Sequence, residues 1–184
     1  MRIIAGELGG RKINPPRNMP YTRPTTDIAR EGLFNIIQNN LEISELKTLD
    51  LFGGTGSISF ELASRGATEL TLVEKDPRMF EFIKKTAKEL KLPHLTVLKM
   101  DVFRYIDQCS EQFDFIFAGP PYALKNIDDL PGLIFEQRML RPNGWFVLEH
   151  TPRHDYKKFP FYKTQRNYGT TVFSIFIENR PLFN

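Results

Sequence analysis

Thr48 to Ser59 reads TLDLFGGTGSIS: an apolar strand carrying an acid at its end, a glycine-rich turn, and the start of a helix. Asp50 stands where a short buried strand closes. Gly53, Gly54 and Gly56 permit a tight turn with close backbone approach, and the N–H groups beyond it face outward. Such a turn holds a nucleotide-like cofactor. It is not the dinucleotide fingerprint, because G-x-G-x-x-G begun at Gly54 needs glycine at position 59, where Ser59 stands, and that fingerprint asks for no acid at the position of Asp50.

Roughly twenty residues on, Glu69 to Glu74 reads ELTLVE, a second buried strand ending in an acid that can accept from both hydroxyls of a ribose. The pattern D-x-F-x-G-x-G over Asp50, Phe52, Gly54 and Gly56 resembles the first motif of S-adenosylmethionine-dependent methyltransferases. That cofactor carries a positive ammonium suited to a carboxylate such as Asp50. The resemblance implies Asp50, Phe52, Gly53, Gly54, Gly56 and Glu74 as its contacts, with Asp101 accepting from the adenine amine and Val102 offering backbone. Asp101 also reads as a helix cap.

The 184 residues suffice for one well-packed domain, and 41% hydrophobic with 26% charged content is ordinary for a globular chain. No apolar run reaches the length of a membrane span. The opening MRIIAGELGG lacks the features of a signal peptide, and with Cys109 as the single cysteine the expected location is the reducing cytoplasm. Cys109 itself reads as a helix packing residue. Net charge is +3, divided as +3 over residues 1–31, −4 over 32–150 and +4 over 151–184. Basic ends on an acidic centre suggest that the termini meet a polyanion.

From Thr48 onward strands alternate with helices, the signature of an α/β domain with a mainly parallel sheet. Strands are expected at 48–52, 69–74, 95–100, 113–118 and 143–149, and helices at 57–65, 77–91, 102–109 and 127–140. Phe159 to Arg166 and Thr170 to Glu178, divided by Asn167-Tyr168-Gly169, read as a C-terminal antiparallel hairpin. Ahead of the main domain (41–184), residues 1–40 form an extension: a small β-hairpin around Gly9-Gly10, a proline-rich loop from Asn14 to Pro20, and a helix from about Asp27. Thr26 or Asp27 caps that helix, and Ala29, Leu33, Ile36 and Ile37 face a core.

The strand Phe113 to Ala118 runs into Gly119-Pro120-Pro121-Tyr122 at the carboxyl end of a central strand, where open α/β sheets place ligands. This loop resembles the D-P-P-Y or N-P-P-Y loop of methyltransferases that act on exocyclic amines of bases. The resemblance implies that the first side chain and the first proline's carbonyl accept from the amine while the aromatic stacks on the base. Here Pro120, Pro121 and Tyr122 match, but Gly119 has no side-chain acceptor. An altered or inactive version, a substitute such as a water or nearby carboxylate, and a loop used only for binding are all consistent with that departure.

Thr22 to Asn35 reads TRPTTDIAREGLFN. With RIIAGELGGRK before it and Ser64-Arg65-Gly66-Ala67 after the glycine turn, it is similar to the bacterial RsmD-type methyltransferases of small-subunit ribosomal RNA, over nearly the whole chain. That resemblance implies a class I, Rossmann-like fold and methylation of a guanine N2 amine in 16S rRNA. It places Thr25 and Asp27 beside the cofactor and Arg23 and Arg30 beside the guanine. Arg11 and Lys12 in the N-terminal hairpin, with Arg2 and Arg17, and Lys157, Lys158, Lys163 and Arg166 near the C-terminal one, are candidate phosphate contacts. The expected partner is rRNA in a 30S subunit or assembly intermediate, met by a monomer away from any membrane. Rival readings are a DNA adenine-N6 methyltransferase and a cofactor- and RNA-binding protein without transfer activity. His94, His150 and His154 show no metal-ligand spacing, and no metal is implied.

Overall fold

Apolar runs buried on both faces build the centre of the sheet, as parallel strands covered by helices require. The computed structural model describes residues 1–17 and 25–179. In chain order the strands are β1 (Lys47–Leu51), β2 (Glu69–Glu74), β3 (Leu95–Lys99), β4 (Phe113–Ala118), β5 (Leu140–His150), β6 (Tyr162–Tyr168) and β7 (Thr171–Ile177). They form one sheet of order β3-β2-β1-β4-β5-β7-β6, parallel through β5, with β7 antiparallel to both its neighbours. Strand order reverses between β1 and β4. A crevice opens there at the carboxyl ends of the strands, so the chain after Leu51 and the chain after Ala118 face one another across it.

Helices α1 (Asp27–Asn40), α2 (Ser57–Ser64), α3 (Pro77–Glu89), α4 (Val102–Gln108) and α5 (Asp129–Glu136) cover the sheet. Side chains alternate between two cores. Phe115, Phe117 and Phe173 pack with Leu33, Phe34 and Phe60 on one face; Ile116, Phe146 and Phe176 pack with Val102, Ile106 and Ile134 on the other. Caps set where helices begin. Thr26 accepts from the Ala29 N–H at 3.2 Å, and Asp76 accepts from Arg78 and Met79 at 2.9 Å with Pro77 in the first turn.

Residues 1–13 fold back through an antiparallel bridge between Arg2 and Lys12 and dock on α2. Fully buried Glu61 accepts from the N–H groups of Ile4 (2.8 Å) and Ala5 (3.0 Å) and from Arg65 Nε (2.8 Å). Ser64 accepts from the Leu8 N–H through its hydroxyl at 2.9 Å and from the Glu7 N–H through its carbonyl at 2.8 Å. Gly6, at φ +80°, lies so close that a Cβ would fall 1.9 Å from the Ser64 carbonyl oxygen. A side chain there would lift the segment off the helix.

One helix, two strands and the N-terminal hairpin differ from the sequence expectation. β6 spans Tyr162–Tyr168 instead of 159–166, so Asn167 and Tyr168 pair with β7 rather than forming the turn. Among the described residues, the hairpin around Gly9-Gly10 has the single Arg2–Lys12 bridge in place of paired strands. The helix expected at 127–140 spans only Asp129–Glu136, and β5 starts at Leu140 instead of 143. Arg138 (φ 51°) takes a left-handed conformation that ends the helix early, and Leu140 then pairs with Phe113. Asn143 (φ 62°) and the register shift between Phe113 and Phe115 accommodate the irregularity without ending the strand. Cys109 caps the end of α4 and is half-exposed.

Candidate active site

The turn after β1 is held by its own backbone. Gly53 N–H donates to the Val73 carbonyl at 2.9 Å and Gly56 N–H to the Gly53 carbonyl at 2.7 Å. A Cβ at Gly53 would sit 2.3 Å from the Leu72 side chain, so glycine is what lets the loop lie against β2. Phe52 takes φ 64°, a left-handed conformation that costs a non-glycine residue about 1–2 kcal/mol. Such local strain is commonly stored where a turn must present its backbone to a ligand. Its ring packs edge-on against Phe103 at the start of α4, centroids 6.3 Å apart.

The loop after β4 is tied to the same crevice by Gly119 N–H, which donates to the Leu51 carbonyl at 3.2 Å. Between the two loops lies a cavity of about 270 Å³, lined by Thr25, Asp50, the 52–55 turn, Phe117, Gly119 to Tyr122 and Glu149. Two carboxylates dominate it. Asp50 is buried and accepts from the Ser59 hydroxyl at 2.7 Å; burial pushes its carboxyl up to about 7, against the pull of that bond and with help from the Glu74 and Glu149 charges. Glu149, also buried, accepts from Thr25 Oγ1 at 2.6 Å and from the Tyr122 hydroxyl at 3.2 Å, and burial raises its carboxyl above the ordinary range.

Thus Asp50, Phe52, Gly53, Gly54, Thr25, Gly119, Pro120, Pro121 and Tyr122 meet around one space. Gly56, at φ +76°, ends the turn and caps α2. Other sequence candidates lie apart. Glu74, at the end of β2, accepts from the N–H groups of Gly54 and Asp76, each at 2.7 Å, and burial raises its carboxyl. Exposed Asp101 caps α4, accepting from Phe103 N–H at 3.0 Å, while Val102 is buried in the core. Asp27 pairs with Arg2 and Arg30, each at 3.0 Å. Arg30, only 1% exposed, is turned inward to Asp27, the Arg2 carbonyl and the neighbourhood of Glu61. It knits the N-terminal segment to α1 rather than lining the cavity. Arg11 and Lys12 are exposed on the N-terminal segment, as are Lys157, Lys158, Lys163 and Arg166 at the other end of the chain. Arg23 falls outside the described residues.

Sequence reasoning missed Glu149 and the role of Ser59. A signal for the first existed: Trp145 to Leu148 is apolar and the next residue is an acid, the same pattern that singled out Glu74. The signal for the second was the serine standing where the dinucleotide fingerprint has glycine; its hydroxyl proves to contact Asp50.

A Rossmann-like sheet with a glycine turn at its switch point and a P-P-Y loop opposite defines the class: this is an S-adenosylmethionine-dependent methyltransferase fold. A solved Thermus thermophilus protein titled hypothetical superposes with a TM-score of 0.84 at 26% identity, covering 96% of this chain and 98% of that one. The Thermus thermophilus 16S rRNA N2 methyltransferase solved with AdoMet and guanosine superposes at 0.67 with 24% identity, covering 86% of this chain and 45% of that one, and so attests the fold. The model of the family described as conserved hypothetical protein 95 matches residues 1–177, and the chain belongs to that family. Ribosomal RNA small subunit methyltransferase D of Haemophilus influenzae is 34% identical over 153 residues, 81% of this chain and 78% of the relative.

Proposed function

We propose that the protein transfers the methyl group of S-adenosylmethionine to the N2 amine of a guanine in small-subunit ribosomal RNA. The observation that carries this reading is the convergence of Asp50 and the glycine turn with Pro120-Pro121-Tyr122 on one cavity, in a chain whose relatives bear rRNA methyltransferase names. The relatives' names favour rRNA over the adenine of DNA. The donor set fits the cofactor. A buried carboxyl met by the Ser59 hydroxyl and N–H, with no cation beside it among the described residues, is suited to a cationic ammonium, and a pyrophosphate would be repelled by it.

In this reading Asp50 holds the amino-acid end of the cofactor and the 52–56 turn lies along it. Glu74, already fixed by backbone N–H groups including those of Gly54 and Asp76, has acceptor capacity left for ribose hydroxyls, and Asp101 stands at the next strand end for the base. The bound cofactor supplies a sulfonium-activated methyl group. What the protein must add is position and the exclusion of water. Tyr122 offers a ring to the guanine, and the Pro120 carbonyl is an acceptor for its amine. The basic residues of both chain ends steer phosphate groups to the site, in a cytoplasmic monomer acting on 30S particles.

The test is methyl transfer from labelled S-adenosylmethionine to 30S particles lacking the modification, followed by mapping of the labelled nucleotide. Label on a guanine N2 is the expected result. Label on another atom, or none despite cofactor binding, overturns the reading.

A further inference from the structure

Gly119 leaves the loop after β4 without the side chain that holds an exocyclic amine, yet the space beside it is not empty of acceptors. β4 and β5 are neighbours with Ala118 opposite Leu148, so the next residue of each strand, Gly119 and Glu149, stand side by side at the crevice. A Cβ placed on Gly119 would lie 3.8 Å from Glu149 Oε2 and 2.9 Å from the edge of the Phe117 ring. A longer side chain at 119 would therefore displace Phe117 and enter the ground that Glu149 holds.

Resting on the transfer proposed above, we infer that Glu149 supplies the carboxylate that holds the guanine N2 amine and receives its proton, the duty that Gly119 cannot perform. Glu149 is 4% exposed and lines the cavity together with Pro120, Pro121 and Tyr122. Among the described residues its two oxygens each have one hydroxyl partner, Thr25 on Oε2 and Tyr122 on Oε1. A carboxylate has about four lone-pair sites, so each oxygen keeps acceptor capacity for an N–H of the substrate. The two hydroxyls also fix the rotamer, and the Tyr122 hydroxyl is within 3.3 Å of Thr171 Oγ1 as well. Carboxylate and aromatic are thereby one hydrogen-bonded unit.

In the transfer, the N2 lone pair forms the new N–C bond while the methyl–sulfur bond breaks and its electron pair stays on sulfur, leaving the neutral thioether S-adenosylhomocysteine. The amine nitrogen, now positive, releases one proton to Glu149, which passes it to solvent. Burial already favours the protonated form of Glu149, which makes it a better proton acceptor than an exposed glutamate. Among the described residues, the ionisable groups facing it are Tyr122 and, across the cavity, Asp50.

Glu149→Ala is expected to lower kcat about 10²–10³-fold. Affinity for S-adenosylhomocysteine, read by calorimetry, should stay within about threefold, the pattern of a contact made to the reacting amine. With both substrates saturating, kcat of the unaltered protein should fall on the acid side as Glu149 binds a proton. Glu149→Gln keeps the shape of the side chain and should lose that acid limb. A variant that melts like the parent, binds S-adenosylhomocysteine like the parent and transfers at the parent rate with the acid limb intact overturns the inference; if Glu149→Ala fails to fold, Glu149→Gln decides. If the unaltered protein transfers nothing to guanine N2, the proposed function falls by itself. Guanosine binding in the presence of S-adenosylhomocysteine then judges Glu149: at least about tenfold weaker binding by Glu149→Ala supports the contact, and equal binding overturns it.

Discussion

Glu61 and the pair Asp50 with Glu149 are all buried acids, but their surroundings differ in kind. Around Glu61 stand two backbone N–H groups and the guanidinium of Arg65, with Arg30 Nε at 3.9 Å. Among the described residues, Asp50 and Glu149 meet no cation: Ser59 offers Asp50 its hydroxyl and its N–H, and Thr25 and Tyr122 offer Glu149 their hydroxyls. The first site is complete in itself: charge is met by charge and the N-terminal segment is fastened. The second is left short of positive charge, which costs stability until something cationic or an N–H donor arrives. A fully compensated acid marks architecture; an under-compensated one, in a cavity, marks a place for a ligand.

The largest effect should come from breaking the complete site. Glu61→Ala strands the N–H groups of Ile4 and Ala5 and leaves Arg65, still bonded to Gln38, without its carboxylate, so a loss of about 3–5 kcal/mol in urea unfolding is expected. Above about pH 7, where Asp50 is ionised, Asp50→Asn should do the opposite to the ligand-free protein, raising its melting temperature by removing a buried charge that meets no cation among the described residues. The same change should weaken S-adenosylmethionine binding about 100-fold, some 2.7 kcal/mol by calorimetry. If Asp50→Asn instead destabilises the free protein and spares binding, the contrast between the two sites is wrong.

Smaller effects come from pH. Asp50 holds its proton up to about 7, above its ordinary 3.8, so the ligand-free fold loses stability as pH rises from about 4 through 7. A bound ammonium needs the ionised form. Cofactor affinity should therefore rise with pH, by at most about tenfold per unit, and level off above about 7. The thermal shift on adding cofactor should be greater at about pH 7.5 than at about pH 5.5. Smallest is Ser59→Ala, which removes the hydroxyl that favours ionised Asp50; the affinity profile should move to higher pH, weakening binding by about 1 kcal/mol near neutrality.

How much of this could be read beforehand depended on whether the cause was local. The glycine turn, the strand-closing acids and the alternation in β7 are encoded within a few residues, and the sheet follows from them. The end of α5 is not: Arg138 and Asn143 adopt left-handed conformations because Leu140 must meet Phe113, a pairing no window around residue 138 contains. Arg30 reads as a surface or pocket residue until the Arg2 carbonyl and Glu61, distant in sequence, close over it. Glu149 carried the same mark as Glu74 but gained its meaning only beside Gly119, thirty positions earlier and one strand over.

Gly32 lies where the Tyr168 hydroxyl meets α1, a Cβ there falling 2.1 Å from it, and Thr25 reaches Glu149 across 124 positions of chain. Both unions join the beginning of the chain to its end. On a translating ribosome, α1 leaves the exit tunnel well before the strand that will seat it has been made. At elongation rates of about 5–20 residues per second, that interval lasts on the order of ten seconds. For that time the nascent chain carries the cofactor turn but no finished cavity, and the site closes only once Glu149 and Tyr168 have emerged.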